Sequence, residues 1–234
     1  MKYALLILGI PLMTSCSVFR EDPGAQMTEF RDIDTSYSSL SVDGDIQLII
    51  TQDPTYTLKI EAGENHLPYI TTRVFNDFLE IKEERNPIRN NATVRVYISK
   101  SYLNDMTLDG SGSIDGAHLV AGNADILLNG SGDIDLQYDS LVGLDFTLDG
   151  SGNARFSGEA NAFNGTINGS GNLDARYLPV NNASVNINGS GTARVNASQY
   201  LNIHIDGSGE VFYWGNPADV DIDISGSGQV IDME

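Results

Sequence analysis

A tripeptide that recurs at nearly constant spacing constrains this chain more than any other feature. Gly-Ser-Gly occurs seven times, at intervals of 18 to 20 residues. Such a period is typical of a solenoid, in which each repeat buries its apolar side against its neighbours. The copies begin at Gly110, Gly130, Gly150, Gly169, Gly189, Gly207 and Gly226.

The residues around each triplet alternate between apolar and polar, as in a strand with one buried face. Each repeat is therefore predicted to be a strand, a Gly-Ser-Gly corner, a second strand and a variable return. Asp, Asn or Ser precedes each triplet, and these residues commonly cap turns. Parallel stacking of the repeats about 4.8 Å apart predicts an all-β fold, a right-handed parallel β-helix with rungs of about 20 residues.

The sequence divides the chain into four segments. Residues 1–15 read as a lipoprotein signal peptide, 16–27 as a polar tether, 28–104 as an irregular β cap, and 105–234 as the repeat helix. The cap is expected to be continuous with the helix, because Asp43-Gly44-Asp45 lies between strand-like stretches and resembles the corner of a degenerate first repeat.

The N-terminal segment has the layout of a secretory signal, with Lys2 before an apolar stretch at 3–13. Met13-Thr14-Ser15-Cys16 resembles a bacterial lipobox, and that resemblance implies diacylglycerol on Cys16 and cleavage before it. The expected partner is then a membrane, reached through the lipid on Cys16, and the expected location is the bacterial envelope, as an outer membrane lipoprotein. The alternative is an ordinary signal peptide with an incidental cysteine.

Several features together resemble the auto-transporter adhesin family known as the head GIN domain. They are the lipoprotein signal, the strand block at 30–50, the segment from Glu64-Asn65-His66-Leu67 to Leu79-Glu80-Ile81, the strand at 94–98, and the repeated Leu108-Asp109-Gly110-Ser111-Gly112-Ser113-Ile114 pattern. The resemblance covers about residues 30–230. It implies a β-helical envelope protein without catalytic residues.

The charge of the chain excludes some partners. The formal net charge is −19, and residues 101–234 carry 18 acidic against 3 basic side chains. Nucleic-acid binding needs clustered Lys and Arg, so no nucleic acid is expected as a partner. The single cysteine excludes an internal disulfide framework.

The strongest candidate contact for a partner is an aromatic pair near the C-terminus. Strand alternation predicts that Phe212 and Trp214 point outward, where other repeats carry polar residues. Exposed aromatic side chains on a polar face are typical of a glycan or protein contact. The alternative is that another part of the chain covers them.

Calcium is the one cofactor that the sequence suggests. Asp115, Asp135 and Asp174 stand three residues past a corner, as in some Ca²⁺-binding glycine-rich repeats, but the other repeats lack an acid there. Asp219, Asp221 and Asp223 alternate along one strand and are weak candidates to share an ion. A solvated acidic face is the alternative for these residues, and no cofactor is the expectation.

No nucleophile elbow, phosphate loop or metal-binding histidine spacing occurs in the sequence, so no enzyme is expected. The leading hypothesis is a non-enzymatic, lipid-anchored adhesin or binding module of the cell envelope. The alternatives are a structural or envelope-maintenance protein and, on fold analogy alone, a polysaccharide-active enzyme.

Overall fold

The computed structural model of the chain describes residues 22–51, 57–84 and 93–234. These residues form 19 β-strands and one short 3-10 helix at Leu67–Tyr69, with no α-helix among them. In chain order the strands are β1 (Gln26–Arg31), β2 (Ser39–Gly44), β3 (Ile46–Thr51), β4 (Leu58–Gly63), β5 (Ile70–Phe75), β6 (Phe78–Glu83), β7 (Val94–Ser99), β8 (Asp105–Gly110), β9 (Ser113–Val120), β10 (Asn123–Gly130), β11 (Asp133–Ser140), β12 (Gly143–Gly150), β13 (Asn153–Ser157), β14 (Ala162–Gly169), β15 (Asn172–Gly189), β16 (Thr192–Gly207), β17 (Glu210–Trp214), β18 (Asp219–Gly226) and β19 (Gln229–Asp232).

The strands stack in two columns around one apolar core. Column A contains the strand before each corner, paired in parallel from rung to rung: β2, β8, β10, β12, β14, the second halves of β15 and β16, and β18. Column B contains the strand after each corner: β3, β9, β11, β13, the first halves of β15 and β16, β17 and β19. The predicted solenoid of stacked parallel rungs is confirmed.

The Gly-Ser-Gly corners stack directly on one another. The first glycine of each triplet has a φ between +123° and +142°. From the second triplet onward, the serine amide donates to the carbonyl of the first glycine one rung earlier, at 2.8–3.0 Å. A Cβ on Gly189 would lie 2.3 Å from the carbonyl oxygen of Gly169, so the backbone conformation and the close approach both require glycine.

The Asp and Asn residues before the corners bond along the stack. Asn129 Nδ2 donates to Asp109 Oδ1 at 2.6 Å, and Asn168 Nδ2 donates to Asp149 Oδ1 at 2.6 Å. Interpreting these residues as turn caps did not anticipate this ladder. Successive corners are therefore linked by two sets of hydrogen bonds, one between side chains and one between backbone groups.

The core is a set of apolar ladders, one side chain per rung. At the position two before the triplet, the side chains from rung to rung are fully buried at Leu108, Leu128, Leu148, Ile167, Ile187 and Ile205. Phe146 and Phe156 meet edge to face across the core, with ring centres 5.0 Å apart. Inward positions therefore supply the hydrophobic stabilisation of every rung.

The N-terminal rungs stack in an order that differs from their order in the chain. β6 pairs in parallel with β2, and β7 with β3, on the side away from β8 and β9. Antiparallel strands complete this end, because β4 pairs with β7, β1 with β4, and β5 with β6. The irregularity expected of residues 28–104 lies in this chain order and in the antiparallel end. The degenerate corner is regular, since Gly44 aligns with Gly110.

Two expectations concern the chain before the sheet. Cys16 and the signal segment 1–15 lie outside the described residues. β1 begins at Gln26, which pairs with Gly63, and Asn65 donates to the carbonyls of Asp22 and Pro23, so the predicted 16–27 tether is bonded to the fold from Asp22 onward.

Candidate functional site

The two columns present outer faces of different chemistry, called face A and face B after their columns. Face B carries all three arginines of residues 105–234: Arg155, Arg176 and Arg194. Face A of the same region carries no Lys or Arg but nine acidic residues: Asp105, Asp109, Asp125, Asp145, Asp149, Asp206, Asp219, Asp221 and Asp223. The arginines of the repeats are therefore confined to one side of the scaffold, whereas acidic residues lie on both.

A ladder of alternating charge runs along face B at the third position after the corners. Adjacent strands align Asp135 with Arg155, Arg155 with Asp174, and Asp174 with Arg194. The next residue in the ladder is Phe212, aligned with Arg194. Because neighbouring strands lie about 4.8 Å apart, each arginine has an acid or an aromatic ring within reach on both sides.

Arg176 makes the tightest ion pair of face B. Its Nε lies 2.9 Å from Asp174 Oδ1, and its Nη2 lies 2.6 Å from Asp174 Oδ2. Burial alone would raise the pKa of Asp174, but the hydrogen bonds and charge of Arg176 outweigh it and hold that pKa below its usual range. The pair fixes the guanidinium in a bidentate geometry.

The arginines pack over aromatic rings. The guanidinium carbon of Arg194 lies 5.3 Å from the ring centre of Phe212, and that of Arg176 lies 5.8 Å from Trp214 and 5.3 Å from Tyr177. Phe212 and Trp214 are half-buried. They lie on the outer face, as alternation predicts, but arginines from the preceding rungs cover part of each ring. Cation–π contacts of this kind stiffen the rings and arginines as one surface.

Tyr177 was missed from the sequence although it is 61% exposed. Simple alternation would turn it inward, but the pairing of β13 with β15 shifts register between Arg155 and Ser157, and Ser157 aligns with Tyr177. The arginines had a readable signal, since each stands at the third or fifth residue after a corner, both outward positions. We call Asp174, Arg176, Tyr177, Arg194, Phe212 and Trp214 the arginine–aromatic cluster.

A shallow groove of about 520 Å³ adjoins the cluster on face B. Its walls include Asp135, Arg155, Asp174, Arg176 and Arg194. Asn153 lies between Asp133 and Asn172, donating to the first at 2.8 Å and accepting from the second at 2.9 Å. The groove thus offers carboxylate, amide and guanidinium groups beside aromatic rings, a set that suits a polar ligand with hydroxyl groups.

Face A offers stacked carboxylates instead. Asp105, Asp125 and Asp145 align in adjacent strands. Asp105 accepts from Ser39 and Asp145 accepts from Asn164. Burial and the repulsion from both neighbours raise the pKa of Asp125. This face repels anions and contributes electrostatic strain to the fold.

The calcium candidates lie in two separate places. Asp115 and Asp135 align in adjacent strands of face B, with Asp174 two rungs beyond Asp135. Asp219, Asp221 and Asp223 point outward from β18 on face A, at alternate positions about 7 Å apart along the strand. Asp223 Oδ2 contacts His204 Nδ1 at 3.0 Å. Within the described residues no group of three His, Cys, Asp or Glu side chains is arranged to hold a metal ion.

The remaining histidines each contact one acid. His66 is buried in the N-terminal end, with its Nε2 2.9 Å from Glu83 Oε1, and His118 Nδ1 lies 3.1 Å from the Asp139 carboxylate. In the part of the chain that the structure covers, no helix has the length and apolar character needed to span a membrane.

Comparison with known proteins gives a family and a set of similar folds. The family model described as "Putative auto-transporter adhesin, head GIN domain" matches residues 36–217. That range includes the whole arginine–aromatic cluster and excludes β18. A search of curated proteins finds no match.

Several solved structures share the fold. A putative adhesin from Bacteroides fragilis is 20% identical, with a TM-score of 0.79 over 89% of this chain and 97% of that one. A protein from Parabacteroides distasonis described as a putative lipid binding protein is 22% identical, with a TM-score of 0.68 over 90% and 98%. A putative adhesin from Parabacteroides merdae is 18% identical, with a TM-score of 0.65 over 90% and 97%.

Proposed function

Since the chain belongs to the family of the putative auto-transporter adhesin head GIN domain, we propose that it is a non-enzymatic binding module of the bacterial cell envelope, held at a membrane by lipid on Cys16. In this proposal the outer surface around the arginine–aromatic cluster contacts a glycan. The carrying observation is that all three repeat arginines and the outward aromatic residues of β17 lie together on face B, opposite an acidic face A.

The chemistry of the cluster favours a glycan over a polyanion. Aromatic rings stack on the apolar faces of sugar rings, while fixed carboxylate, amide and guanidinium groups exchange hydrogen bonds with hydroxyls. The strong negative charge of the repeats opposes anionic polymers. A neutral or weakly charged glycan is therefore the ligand class that we assign to face B.

The arginine–aromatic cluster lies far from the proposed membrane anchor, which supports a role in binding a ligand away from the membrane. At the N-terminal end, β7, β4 and β1 continue column B beyond β3. The order is then β1, β4, β7, β3, β9, β11, β13, β15, β16, β17 and β19, so ten strand spacings of about 4.8 Å separate the ends by about 48 Å. An anchor on Cys16 would join the fold at β1. Trp214 lies on β17, near the opposite end.

The test is binding of the full chain, purified in detergent, to an array of bacterial and host glycans. Trp214→Ala should weaken binding to any captured glycan at least tenfold, since aromatic residues at the centre of a contact carry much of the binding free energy. Mass spectrometry of the mature N-terminal peptide tests the anchor separately and should show an acylated Cys16.

Tyr200→Ala is the matched control, because Tyr200 is an exposed aromatic residue on face A. It should leave glycan binding unchanged. Equal binding by wild type and Trp214→Ala, or equal losses in both variants, would contradict the assignment to face B. An unmodified Cys16 thiol would remove the lipid anchor and leave the glycan assignment standing.

A further inference from the structure

The last described rung, formed by β18 and β19, leaves core positions open. In β18, Ile222 is 44% exposed and Ile224 is 38% exposed, whereas Ile203 and Ile205, which align with them one rung earlier, are fully buried. Val220 and Val230 pack against the core but are also only partly buried. The C-terminal end of the described fold therefore presents an apolar strip.

The same rung ends in open backbone edges. Among the described residues, β18 pairs only with β16 and β19 pairs only with β17. The outer edge of each strand offers unpaired amide and carbonyl groups. Such edges are templates for an added strand, and an apolar strip beside them strengthens that tendency.

The N-terminal end differs in having charged side chains over its core. β1 aligns Glu29 with Ile60 and Arg31 with Leu58, which places this charged pair on the core side of the end strand. Arg31 Nη1 donates to the Ile70 carbonyl at 2.7 Å and to Thr72 Oγ1 at 3.1 Å, linking column B to column A. Solenoids need polar caps over the core at their ends, and β18 carries no charged side chain on its core side.

The negative charge of β18 limits which kinds of chain can pair with its open edge. The outward residues of β18 are Asp219, Asp221 and Asp223, so a second copy stacked by two-fold symmetry would set two rows of aspartates against each other. Stacking head to tail would place Glu29 and Arg31 of β1, the end strand on the column B side, over Val230 of β19, which would bury charge. Both arrangements of a second copy are disfavoured.

We propose that the β18 edge binds an extended segment of a partner protein in which apolar residues alternate with lysine or arginine. The inward apolar residues cover Val220, Ile222 and Ile224, and the outward cations lie beside the three aspartates. The added strand completes the ladder of column A by backbone hydrogen bonds. This inference is independent of glycan binding on face B.

The test uses the full chain in detergent with the synthetic peptide Lys-Ile-Lys-Val-Lys-Ile-Lys, blocked at both ends and fluorescently labelled. Anisotropy should show saturable binding that weakens with salt, and hydrogen exchange should slow at the amides of Asp219–Gly226. The double variant Asp219→Asn with Asp221→Asn should weaken binding at least tenfold. The matched double variant Asp125→Asn with Asp145→Asn, on the same face, should change it less than twofold.

Three results would overturn the proposal. One is equal binding of the scrambled peptide Lys-Lys-Lys-Lys-Ile-Val-Ile, which would show charge attraction without strand addition. Another is absence of exchange protection in β18. The third is a dimer in sedimentation that Ile224→Thr dissolves, which would assign the end to a second copy; the thermal transition of that variant shows whether it folds.

Discussion

Faces A and B share one backbone and one set of inward ladders, yet their outer chemistry is opposed. Face A stacks carboxylates such as Asp105, Asp125 and Asp145 without a basic neighbour from the repeats. Face B interleaves carboxylates with arginines and ends in aromatic rings. In a solenoid the inward positions specify the fold, so the outward positions are free to diverge from one face to the other.

The corner joins the two faces within each rung, so changing it should have the largest effect. Gly189→Ala places a Cβ 2.3 Å from the carbonyl oxygen of Gly169 at a φ of +140°. We expect a loss of about 3 kcal/mol or more in the free energy of unfolding, from backbone strain and overpacking. Denaturant unfolding followed by circular dichroism measures it.

Gly122→Ala is the control for that substitution, because a Cβ at Gly122 would meet nothing within 4 Å. Its free energy of unfolding should stay within about 1 kcal/mol of wild type and can rise slightly, since alanine restricts the unfolded chain. Similar losses in both variants would mean that corner stacking does not hold the faces in register.

On face B, removing a charge should destabilise the fold. Arg176→Ala leaves the Asp174 carboxylate, 14% exposed, without its bidentate partner. The expected loss is about 1.5–3 kcal/mol at pH 7. The pKa of Asp174 is lowered in the fold, so the stabilisation is present above the ordinary Asp pKa of about 3.9 and is lost as pH falls.

Unfolding of wild type and Arg176→Ala at pH 7 and pH 3 should therefore give curves that converge in acid. Arg155→Ala is the matched variant, because the Arg155 side chain is 59% exposed and lies 3.5 Å from Asp135. It should cost less than about 1 kcal/mol. A larger loss from Arg155→Ala than from Arg176→Ala would refute the role assigned to burial.

On face A, removing a charge should stabilise the fold, by the smallest amount. Asp125→Asn relieves repulsion from Asp105 and Asp145, and we expect a gain of a few tenths of a kcal/mol at pH 7 in low salt. The pKa of Asp125 is raised in the fold, so the ionised group costs stability as pH rises through that pKa.

Melting temperatures of wild type and Asp125→Asn should then differ at pH 7 and agree at pH 3. The difference at pH 7 should shrink in 1 M salt, which screens the repulsion but leaves the cost of burying the charge. A lower melting temperature for the variant at pH 7 would show that Asp125 makes a favourable contact. Opposite signs for Asp125→Asn and Arg176→Ala would establish the contrast between the faces.

The repeat region was predictable because glycine spacing and period-two alternation are local signals. The triplets alone indicate the stacked rungs, and alternation places Phe212 and Trp214 on an outer face. The partial covering of those rings was not predictable, since Arg176 comes from a strand two rungs earlier.

The exposure of Tyr177 was not predictable from alternation, because a register shift turns its side chain from the core to the outer face. Nothing in its neighbouring residues signals that shift.

The stacking order of the first rungs determines when the solenoid can begin to form. β3 and β4 follow each other in the chain, but β7 lies between them, and β6 likewise separates β2 from β5. A chain emerging from its N-terminus cannot complete these layers until Ser99 is available. Each later rung can pair with the strand edge of the rung about 20 residues before it in the chain, so adding a rung closes only a short loop. We therefore expect strands β1 to β7 to form slowly as a template, and the glycine-cornered repeats to extend it rapidly.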